Sequence, residues 1–381
     1  MRLTISMVLA VGLTAVSSGV RADATVTEFP TPSAASLPQG IDIAPNGDVW
    51  FSETSAGKVA VLRTNHTTSE FPLPNGGQPT IVKVAADGIW FTDGPDRAIG
   101  HLNPATGQIE EFAIPSGGTP IFLEIGPDGS KWFSKVNGVG QLLPNGVMTE
   151  WDVALEHPDD NIEQISLDPF GKLWFVERNF DGVGAAGSNK VRRLDADTNV
   201  ISTYLVPTFG GNPAGVHANS DGTVWVAEYF GNAVALLFPN IARHTDAVVR
   251  PNRAASPTTF AIEQPANGSR GTATNTIEAP SVHSVMPVFT RGWTEFPIPT
   301  ANAQAEDMRI DDRGLVWFEE DTGKLGVLNP FTATFAEYPI PSPNSGYYNI
   351  ALNPQEGGLW FTEAGIFAPV PTKIGILTTG N

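Results

Sequence analysis

The heptapeptide GDVWFSE at residues 47–53 recurs, with variations, seven times along the 381-residue chain. Each copy is centred on a tryptophan, and in six copies an acid follows three residues later. The seven tryptophans are Trp50, Trp90, Trp132, Trp174, Trp225, Trp317 and Trp360. They lie 40 to 51 residues apart, except that Trp225 and Trp317 are separated by 92. A period near 40 with aromatic and glycine signals is typical of a β-propeller, whose blades have four strands each.

Each repeat predicts four strands, which we call A to D in chain order. In the first repeat, residues 40–43 predict strand A, residues 49–52 strand B and residues 58–62 strand C. Strand D is a second recurring element, Glu-Phe-Pro, which first occurs at residues 28–30. Between strands A and B, pairs such as Asn46-Gly47 predict type I′ hairpin turns, which require positive φ angles.

The two ends of the repeat region predict how the ring closes. The first repeat element in the chain is a D strand, whereas the last elements are A, B and C strands. We therefore expect the N-terminal strand to complete the last blade, which removes a free sheet edge. The predicted fold is an all-β, seven-bladed propeller with four antiparallel strands per blade.

Three segments are predicted along the chain. Residues 1–24, with Arg2, an apolar run and the ending Ala-Asp-Ala, predict a signal peptide, so we expect a secreted protein, or a periplasmic one in a bacterium. Residues 25–381 predict a single propeller domain. Within it, residues 240–292 lack the repeat and are rich in small and polar residues, which predicts a poorly ordered, low-complexity insertion. This insertion separates strands C and D of the fifth blade and is expected on the face that carries the A–B and C–D connections.

Charge and composition exclude several functions. Forty acidic residues against 22 basic ones give a net charge of −18, so nucleic acids and anionic membranes are not expected partners. No segment after the N-terminus is long and apolar enough to predict a membrane-spanning helix. The absence of cysteine excludes disulfides, thiolate metal sites and cysteine nucleophiles. A monomer is the expected state.

The repeat resembles the virginiamycin B lyase, or streptogramin lyase, family. The shared pattern is T-E-F-P-x-P, then P-x-G-I, D-G-x-V-W-F-T-E and K-I-G-x-L, with good copies at residues 294–299, 358–363 and 373–377. The resemblance covers the mature chain apart from the insertion. It implies a magnesium-dependent C–O lyase that opens a cyclic depsipeptide at its ester linkage by elimination. Such chemistry needs a base that removes a proton α to a carbonyl and a metal that stabilises the enolate-like charge.

The resemblance also implies where the site lies. Family residues come from the starts of late A strands and from the end of a nearby B strand, on the face with the D–A and B–C connections. The corresponding segment 304–309 offers carboxylates but no histidine. We predict Glu306, Asp321 and Glu320 as Mg²⁺ ligands.

The catalytic base is left open between two histidines. His217 lies near the position where the family pattern places one, and His157 lies in an acidic D–A loop whose ligands suit a hard cation or a general base. Phe180 and Phe367, in long B–C loops on the same face, are predicted to line a substrate cleft.

Two repeated positions are expected to be structural. The acid three residues after each tryptophan is predicted to accept hydrogen bonds from loop amides. One mid-strand position of strand A is occupied around the ring by Asp42, Lys83, Glu124, Ser166, His217, Arg309 and Ala351. The five side chains of this set that can carry charge are expected to form ion pairs between blades near the axis.

Three functions remain open from the sequence. The first is a secreted, metal-dependent lyase that opens a lactone, an ester-containing small molecule or a cyclic depsipeptide. The second is a metal-dependent lactonase, which hydrolyses the same bond. The third is a non-catalytic binding propeller with a degenerate site, which the missing family histidines favour.

Overall fold

The computed structural model describes most of the chain. The described residues are 24–155, 157, 159–179, 189–255, 266–268, 272–342, 349–353, 358–364 and 372–379. The predicted signal peptide, apart from Ala24, lies outside them, as do Phe180 and Phe367. In this part of the chain no helix has the length and apolar character needed to cross a membrane.

Seven antiparallel sheets form a seven-bladed propeller, which confirms the predicted fold. In every sheet the order is A-B-C-D from the axis outward, and A strands of neighbouring blades contact each other. Strands A to D are Ile41–Ile43, Val49–Glu53, Lys58–Leu62 and Thr68–Pro72 in blade 1; Pro79–Ala85, Gly88–Asp93, Ala98–Leu102 and Ile109–Ala113 in blade 2; Pro120–Ile125, Lys131–Lys135, Gly138–Leu142 and Val147–Asp152 in blade 3; and Asp160–Leu167, Leu173–Asn179, Lys190–Asp195 and Val200–Leu205 in blade 4. They are Pro213–Ala218, Val224–Glu228, Ala233–Leu237 and Trp293–Pro297 in blade 5; Ala305–Ile310, Val316–Glu320, Lys324–Asn329 and Thr334–Pro339 in blade 6; and Ile350–Leu352, Gly358–Glu363, Lys373–Thr378 and Thr25–Pro30 in blade 7.

Blade 7 shows the predicted ring closure. Its strand D comes from the N-terminal end of the described chain and pairs antiparallel with strand C at Lys373–Thr378. The ring of Phe29 in this strand D lies 5.4 Å from that of Trp360 in strand B. The closing strand is therefore held by side-chain packing as well as by backbone hydrogen bonds.

The two recurring aromatic positions stack on each other in every blade. Each strand B tryptophan packs against the aromatic residue of strand D in the same blade, with ring centroids 5.4 to 6.1 Å apart. The partners are Trp50–Phe71, Trp90–Phe112, Trp132–Trp151, Trp174–Tyr204, Trp225–Phe296, Trp317–Tyr338 and Trp360–Phe29. Aromatic pairs at this spacing add about 0.5–1.5 kcal/mol beyond their buried area. The period in the sequence is thus the period of a packing contact.

The A–B turns differ from the predicted type I′ geometry. Gly47, Gly129 and Gly222 have φ angles of 87°, 79° and 84°, but the residues before them are not among those with positive φ. In blade 1, the N–H of Gly47 donates to the carbonyl of Ala44, and the N–H of Ala44 donates to the carbonyl of Asp48. This is a type I turn followed by a left-handed glycine, so only the glycine needs the left-handed conformation.

The insertion after strand C of blade 5 is a belt around the rim of the propeller. It forms six short strands in chain order, at His244–Val248, Pro251–Ala255, Ala266–Gly268, Ala273–Thr276, Ser281–Ser284 and Val288–Thr290. These strands pair with the outer D strands of blades 4, 3, 1, 7, 6 and 5, in that order. We call residues 240–292 the belt. The expectation of a poorly ordered segment confined to one face is therefore wrong for the described part of the belt.

The belt covers the outer edges of six of the blade sheets. A D strand without an outer neighbour exposes a row of unpaired backbone groups, which is a template for association with another chain. The belt pairs with this edge in six blades, while its side chains in the strands at 244–248 and 281–284 face solvent. A largely polar segment can therefore be ordered mainly by backbone pairing, helped by a few apolar contacts of Ala242, Ile277 and Val285 with the blade cores.

Candidate active site at the channel mouth

A cavity of about 220 Å³ lies at one end of the axial channel. Its lining comes from the starts of A strands and from the end of strand B in blade 4, so it opens on the face with the D–A and B–C connections. The lining residues are Gln39, Thr80, Ile81, Ile121, Phe122, Glu163, Gln164, Arg178, Ala214, Glu306 and Asp307. The side facing blades 2 and 3 is largely apolar, whereas the side facing blades 4 and 6 carries charge.

Arg178 organises the charged side. Its guanidinium donates to Glu306 at 2.6 Å and lies 4.3 Å above the ring of Tyr229. The hydroxyl of Tyr229 donates to Asp321 at 2.6 Å. Residues from the B-strand ends of blades 4, 5 and 6 therefore form one connected chain with Glu306 at the mouth.

Two carboxyl groups at the mouth have perturbed protonation. Burial raises the pKa of Glu163 to about 7; Glu306 adds to the rise and Arg178 opposes it. Burial likewise raises the pKa of Glu306, although the Arg178 guanidinium opposes this effect and Asp321 reinforces it. A carboxyl group that titrates near neutral pH can accept or donate a proton during turnover.

Asp307 ties the A strands together beneath the cavity. One carboxylate oxygen accepts a hydrogen bond from Gln164 of blade 4 and another from Arg309 at 2.5 Å. The other oxygen accepts bonds from the side chain of Asn349 at 2.8 Å and the backbone N–H of Ile350 at 2.9 Å, both from blade 7. These bonds fix the strand starts that carry the cavity lining.

Glu319 is a site residue that sequence reasoning missed. It is 0 % exposed, and its Oε2 accepts no hydrogen bond. Burial raises its pKa well above the usual value, and Glu306, Asp307 and Asp321 add to the rise. The corresponding residues two after the tryptophan are Ser52, Thr92, Ser134, Val176, Ala227 and Thr362 in the other blades. Only Glu319 is charged at this position, and this departure from uncharged side chains is the signal in the sequence that could have identified it.

The structure separates Glu320 from the other predicted metal ligands. Asp321 raises the pKa of Glu306, so these two carboxyl groups lie near each other at the mouth. Glu320 instead lies among Glu337, Thr322 and Lys324, inside the body of blade 6. Burial raises its pKa to about 8, with Glu337 contributing in the same direction.

This environment of Glu320 repeats around the ring. An acid at the end of strand B lies next to a strand D glutamate in blades 1, 2, 5, 6 and 7, at Glu53/Glu70, Asp93/Glu111, Glu228/Glu295, Glu320/Glu337 and Glu363/Glu28. Some of these acids accept loop amides as predicted, for example Glu53 from the N–H of Ser33 at 3.0 Å. Each pair also brings two carboxyl groups together, which the sequence did not reveal.

His217 lies deeper in the channel, in strand A of blade 5. Burial lowers its pKa to about 4, with Arg309 as the largest charged contributor. In the same ring, Lys83 of blade 2 forms an ion pair with Glu124 of blade 3 at 3.1 Å, as expected for this position. His217 is therefore surrounded by the ion-paired ring, and no described contact joins it to Arg178 or Glu306.

His157 lies at the outer start of blade 4. Its backbone N–H donates to Asp160 at 3.2 Å, and its carbonyl accepts the N–H of Asp160 at the same distance. Among the described contacts, none brings its side chain to the cavity. Phe180 and Phe367 are outside the described residues, so their predicted cleft role has no structural counterpart here.

The fold defines a class of protein. A solved streptogramin B lyase matches the fold with a TM-score of 0.69 at 22 % identity, over 94 % of this chain and 98 % of that one. A crystal structure of a catalytically inactive histidine-to-alanine virginiamycin B lyase from Staphylococcus aureus with quinupristin gives 0.70 at 22 % identity, over 93 % and 99 %. At this identity the likeness concerns the fold: a seven-bladed propeller of the streptogramin lyase type.

Sequence comparison gives the family. The model of the Virginiamycin B lyase family matches residues 18–237, and the chain belongs to that family. A virginiamycin B lyase from Nocardia farcinica (strain IFM 10152) is 29 % identical over 193 residues, which are 50 % of this chain and 62 % of the relative. The family match ends at the last residue of strand C in blade 5. Blade 6, with Glu306, Glu319 and Asp321, lies beyond it.

Proposed function

We propose that this protein is a secreted lyase that opens a lactone or another cyclic ester, including cyclic depsipeptides, by elimination at the channel mouth. The observation that carries the proposal is the group Glu163, Arg178 and Glu306 in the cavity. It combines a carboxyl group that titrates near neutral pH with a fixed positive charge. Both are requirements for removing a proton α to a carbonyl.

Each residue has a role in this proposal. Glu163 accepts the α-proton, because its pKa of about 7 leaves it partly ionised at neutral pH. Arg178 offers its guanidinium to the carbonyl oxygen on which negative charge develops. Tyr229, whose ring lies under the guanidinium, restricts Arg178 to the mouth. Neither histidine is needed as the base.

The donor set at the mouth also fits the hard divalent cation that the family resemblance implies. Glu306 and Asp321 would hold Mg²⁺, and Glu319 presents a buried oxygen without a hydrogen-bond partner nearby. When bound, Mg²⁺ would stabilise enolate-like negative charge. Arg178 already pairs with Glu306, so cation binding at Glu306 competes with this ion pair.

The mass of the product distinguishes the chemistries. The purified protein would be incubated with a panel of lactones and cyclic depsipeptides, with MgCl₂ or with a chelator, in H₂¹⁸O. Elimination opens the ring without changing the mass and leaves an alkene, whereas hydrolysis adds labelled water. We expect the first result. Labelled product would identify a lactonase, and unaltered substrates with measurable binding would identify a binding propeller.

Variants test the base. Glu163→Gln is expected to lower kcat by roughly 10²–10⁴-fold, which is the usual contribution of general base catalysis. Glu110→Gln, an exposed glutamate of blade 2, is the matched control and should retain full activity. If His217→Asn abolished turnover while Glu163→Gln did not, the assignment of the base to Glu163 would be wrong.

A further inference from the structure

Blade 2 holds three carboxyl groups that converge outside the channel mouth. Asp93 ends strand B, Asp96 lies in the B–C loop, and Glu111 lies in strand D. One oxygen from each lies within 4.8 Å of the others. Three carboxylate oxygens this close together can ligate one hard cation, and Ca²⁺ accepts an irregular shell of about 6–8 oxygens, whereas Mg²⁺ needs near-ideal octahedral geometry.

Each of the three acids has one carboxylate oxygen without a hydrogen-bond donor. Asp93 is 0 % exposed and Glu111 is 4 % exposed, yet Asp93 Oδ2, Asp96 Oδ2 and Glu111 Oε1 are buried without a partner. The other oxygen of Asp93 accepts the N–H of Gln78 at 3.1 Å and the N–H of Asp96 at 3.5 Å, which leaves Oδ2 without a donor. Leaving buried carboxylate oxygens unsatisfied is costly. Strand B acids of other blades also have unpartnered oxygens, but only in blade 2, among the described residues, do three acids bring such oxygens together.

Space beside the cluster depends on a glycine. A Cβ atom at Gly77 would lie 1.9 Å from Asp93 Oδ2. Any side chain at this position would therefore fill the space next to that oxygen.

Other blades show what normally compensates the charge. In blades 1, 6 and 7, a lysine is the first residue of strand C and pairs in register with the acid that ends strand B. Its ammonium group reaches the strand D glutamate: Lys58–Glu70 at 3.1 Å, Lys324–Glu337 at 3.7 Å and Lys373–Glu28 at 2.9 Å. In blade 2 the residue in this register is Ala98, opposite Asp93. Blade 2 therefore lacks the lysine of blades 1, 6 and 7 and has an additional acid, Asp96.

Blade 5 shows that loss of the lysine alone does not create such a site. Ala233 occupies the lysine position there, and the acids are Glu228 and Glu295. Glu295 accepts hydrogen bonds from the N–H and the hydroxyl of Thr208, at 3.1 and 2.6 Å. Glu111 of blade 2 has no such partner among the described contacts. Burial raises the pKa of Glu111 to about 7, with Asp93 and Asp96 adding to the rise.

We propose that Asp93, Asp96 and Glu111 bind a calcium ion, which takes the place of the lysine ammonium found in blades 1, 6 and 7. Three carboxylates supply hard oxygen ligands, and water would complete the shell beside Asp96, the least buried of the three acids. The ion connects strand B, the B–C loop and strand D of the one blade in which no belt strand is described. The site is structural and separate from the channel mouth.

Calcium binding to the chelated full-length mature protein tests this proposal. Isothermal titration with CaCl₂ would be compared for wild type, Glu111→Gln and Glu70→Gln. Glu70 is the register-equivalent glutamate of blade 1, where Lys58 is present, so its substitution is the matched control. We expect a Ca²⁺ site that is lost in Glu111→Gln and kept in Glu70→Gln, whether or not the channel mouth binds a second ion. Saturating CaCl₂ should raise the Tm of the wild type by roughly 2–4 °C.

Restoring the lysine gives an independent test that does not depend on losing a ligand. Ala98→Lys places an ammonium group at the position that Lys58, Lys190, Lys324 and Lys373 occupy in four other blades. This variant should have a higher Tm than wild type in chelator and should no longer respond to CaCl₂. Equal calcium binding by wild type, Glu111→Gln and Ala98→Lys would overturn the site. An equal response to MgCl₂ and CaCl₂ would overturn the assignment of calcium.

Discussion

The carboxyl pairs inside the blades predict that stability falls as pH rises, and Glu53 of blade 1 allows a direct test. Glu53 is fully buried and next to Glu70. Burial raises the pKa of Glu53 to about 8, and Glu70 adds to the rise. Burial would also raise the pKa of Glu70, but hydrogen bonds from Glu53, Ser33 and Lys58 outweigh it and lower that pKa. The pair therefore holds one proton at neutral pH, on Glu53.

The sign and the size follow from proton linkage. A carboxyl group whose pKa is higher in the folded state stabilises the fold at low pH, and this stability is lost as pH rises through the folded pKa. Between about pH 5.5 and about pH 7.5, folded Glu53 holds roughly one proton more than the unfolded chain, which is worth about 1.4 kcal/mol per pH unit. Glu53→Gln removes this dependence, since glutamine has the shape of the protonated acid and never ionises.

Urea unfolding followed by tryptophan fluorescence measures the effect. We expect the unfolding free energy of Glu53→Gln, relative to wild type, to rise by about 2–3 kcal/mol from about pH 5.5 to about pH 7.5. Glu110→Gln removes an exposed carboxyl group and serves as the control, whose difference from wild type should stay flat. Parallel pH curves for wild type and Glu53→Gln would mean that the pair holds no proton and would refute the reasoning.

Three further predictions concern the mouth, the belt and the strand packing. Glu319→Thr should stabilise the protein by about 1–3 kcal/mol in urea unfolding, because it removes a buried acid with an unpartnered oxygen, and should lower turnover in the ring-opening assay. Replacing residues 243–290 by a short glycine-serine loop should change stability little, because ordering the belt costs about 1–2 kcal/mol per residue in backbone entropy. The D strands would then be exposed, and light scattering should show concentration-dependent association. Gly100→Ala should destabilise by about 1–3 kcal/mol because its Cβ would lie 2.1 Å from the ring of Phe91, whereas Gly94→Ala, which has room for a Cβ, should have little effect; thermal unfolding of both variants measures this.

The fold could be predicted from the sequence because its determinants are local and repeated. A tryptophan in strand B and an aromatic residue in strand D of each blade are a packing pair, so their period reports the architecture directly. The belt could not be predicted in this way. Its strands pair through the backbone with distant D strands, and the few belt residues that pack on the cores, such as Ala242, Ile277 and Val285, are too widely spaced to form a pattern.

The mouth could be predicted only in part, because its residues come from different blades. Glu306 and Asp321 were found from a resemblance to a family motif. The family motif does not single out Arg178 or Glu163. Their significance depends on the distance from Arg178 to Glu306, which joins residues 128 positions apart in the chain.

The repeat itself supplies the signal that was missing. In each blade, one residue lies four positions after the strand B tryptophan. In blades 1 to 7 these residues are Thr54, Gly94, Val136, Arg178, Tyr229, Asp321 and Ala364. Arg178, Tyr229 and Asp321 belong to the consecutive blades 4, 5 and 6. The guanidinium of Arg178 lies over the ring of Tyr229, and the hydroxyl of Tyr229 donates to Asp321.

The same holds at the starts of the A strands. The residue eleven before each tryptophan is Gln39, Pro79, Ile121, Glu163, Ala214, Glu306 and Asn349. Only blades 4 and 6 place an acid there, on either side of Arg178. Glu319 and Ala98 are further departures from their columns, one adding an acid at the mouth and the other removing a cation in blade 2. A buried charged residue that breaks its column can find a partner within the fold, as Lys135 does with Glu150 and Asp152. Where one of its oxygens has no such partner, as in Glu319, the departure points to a ligand.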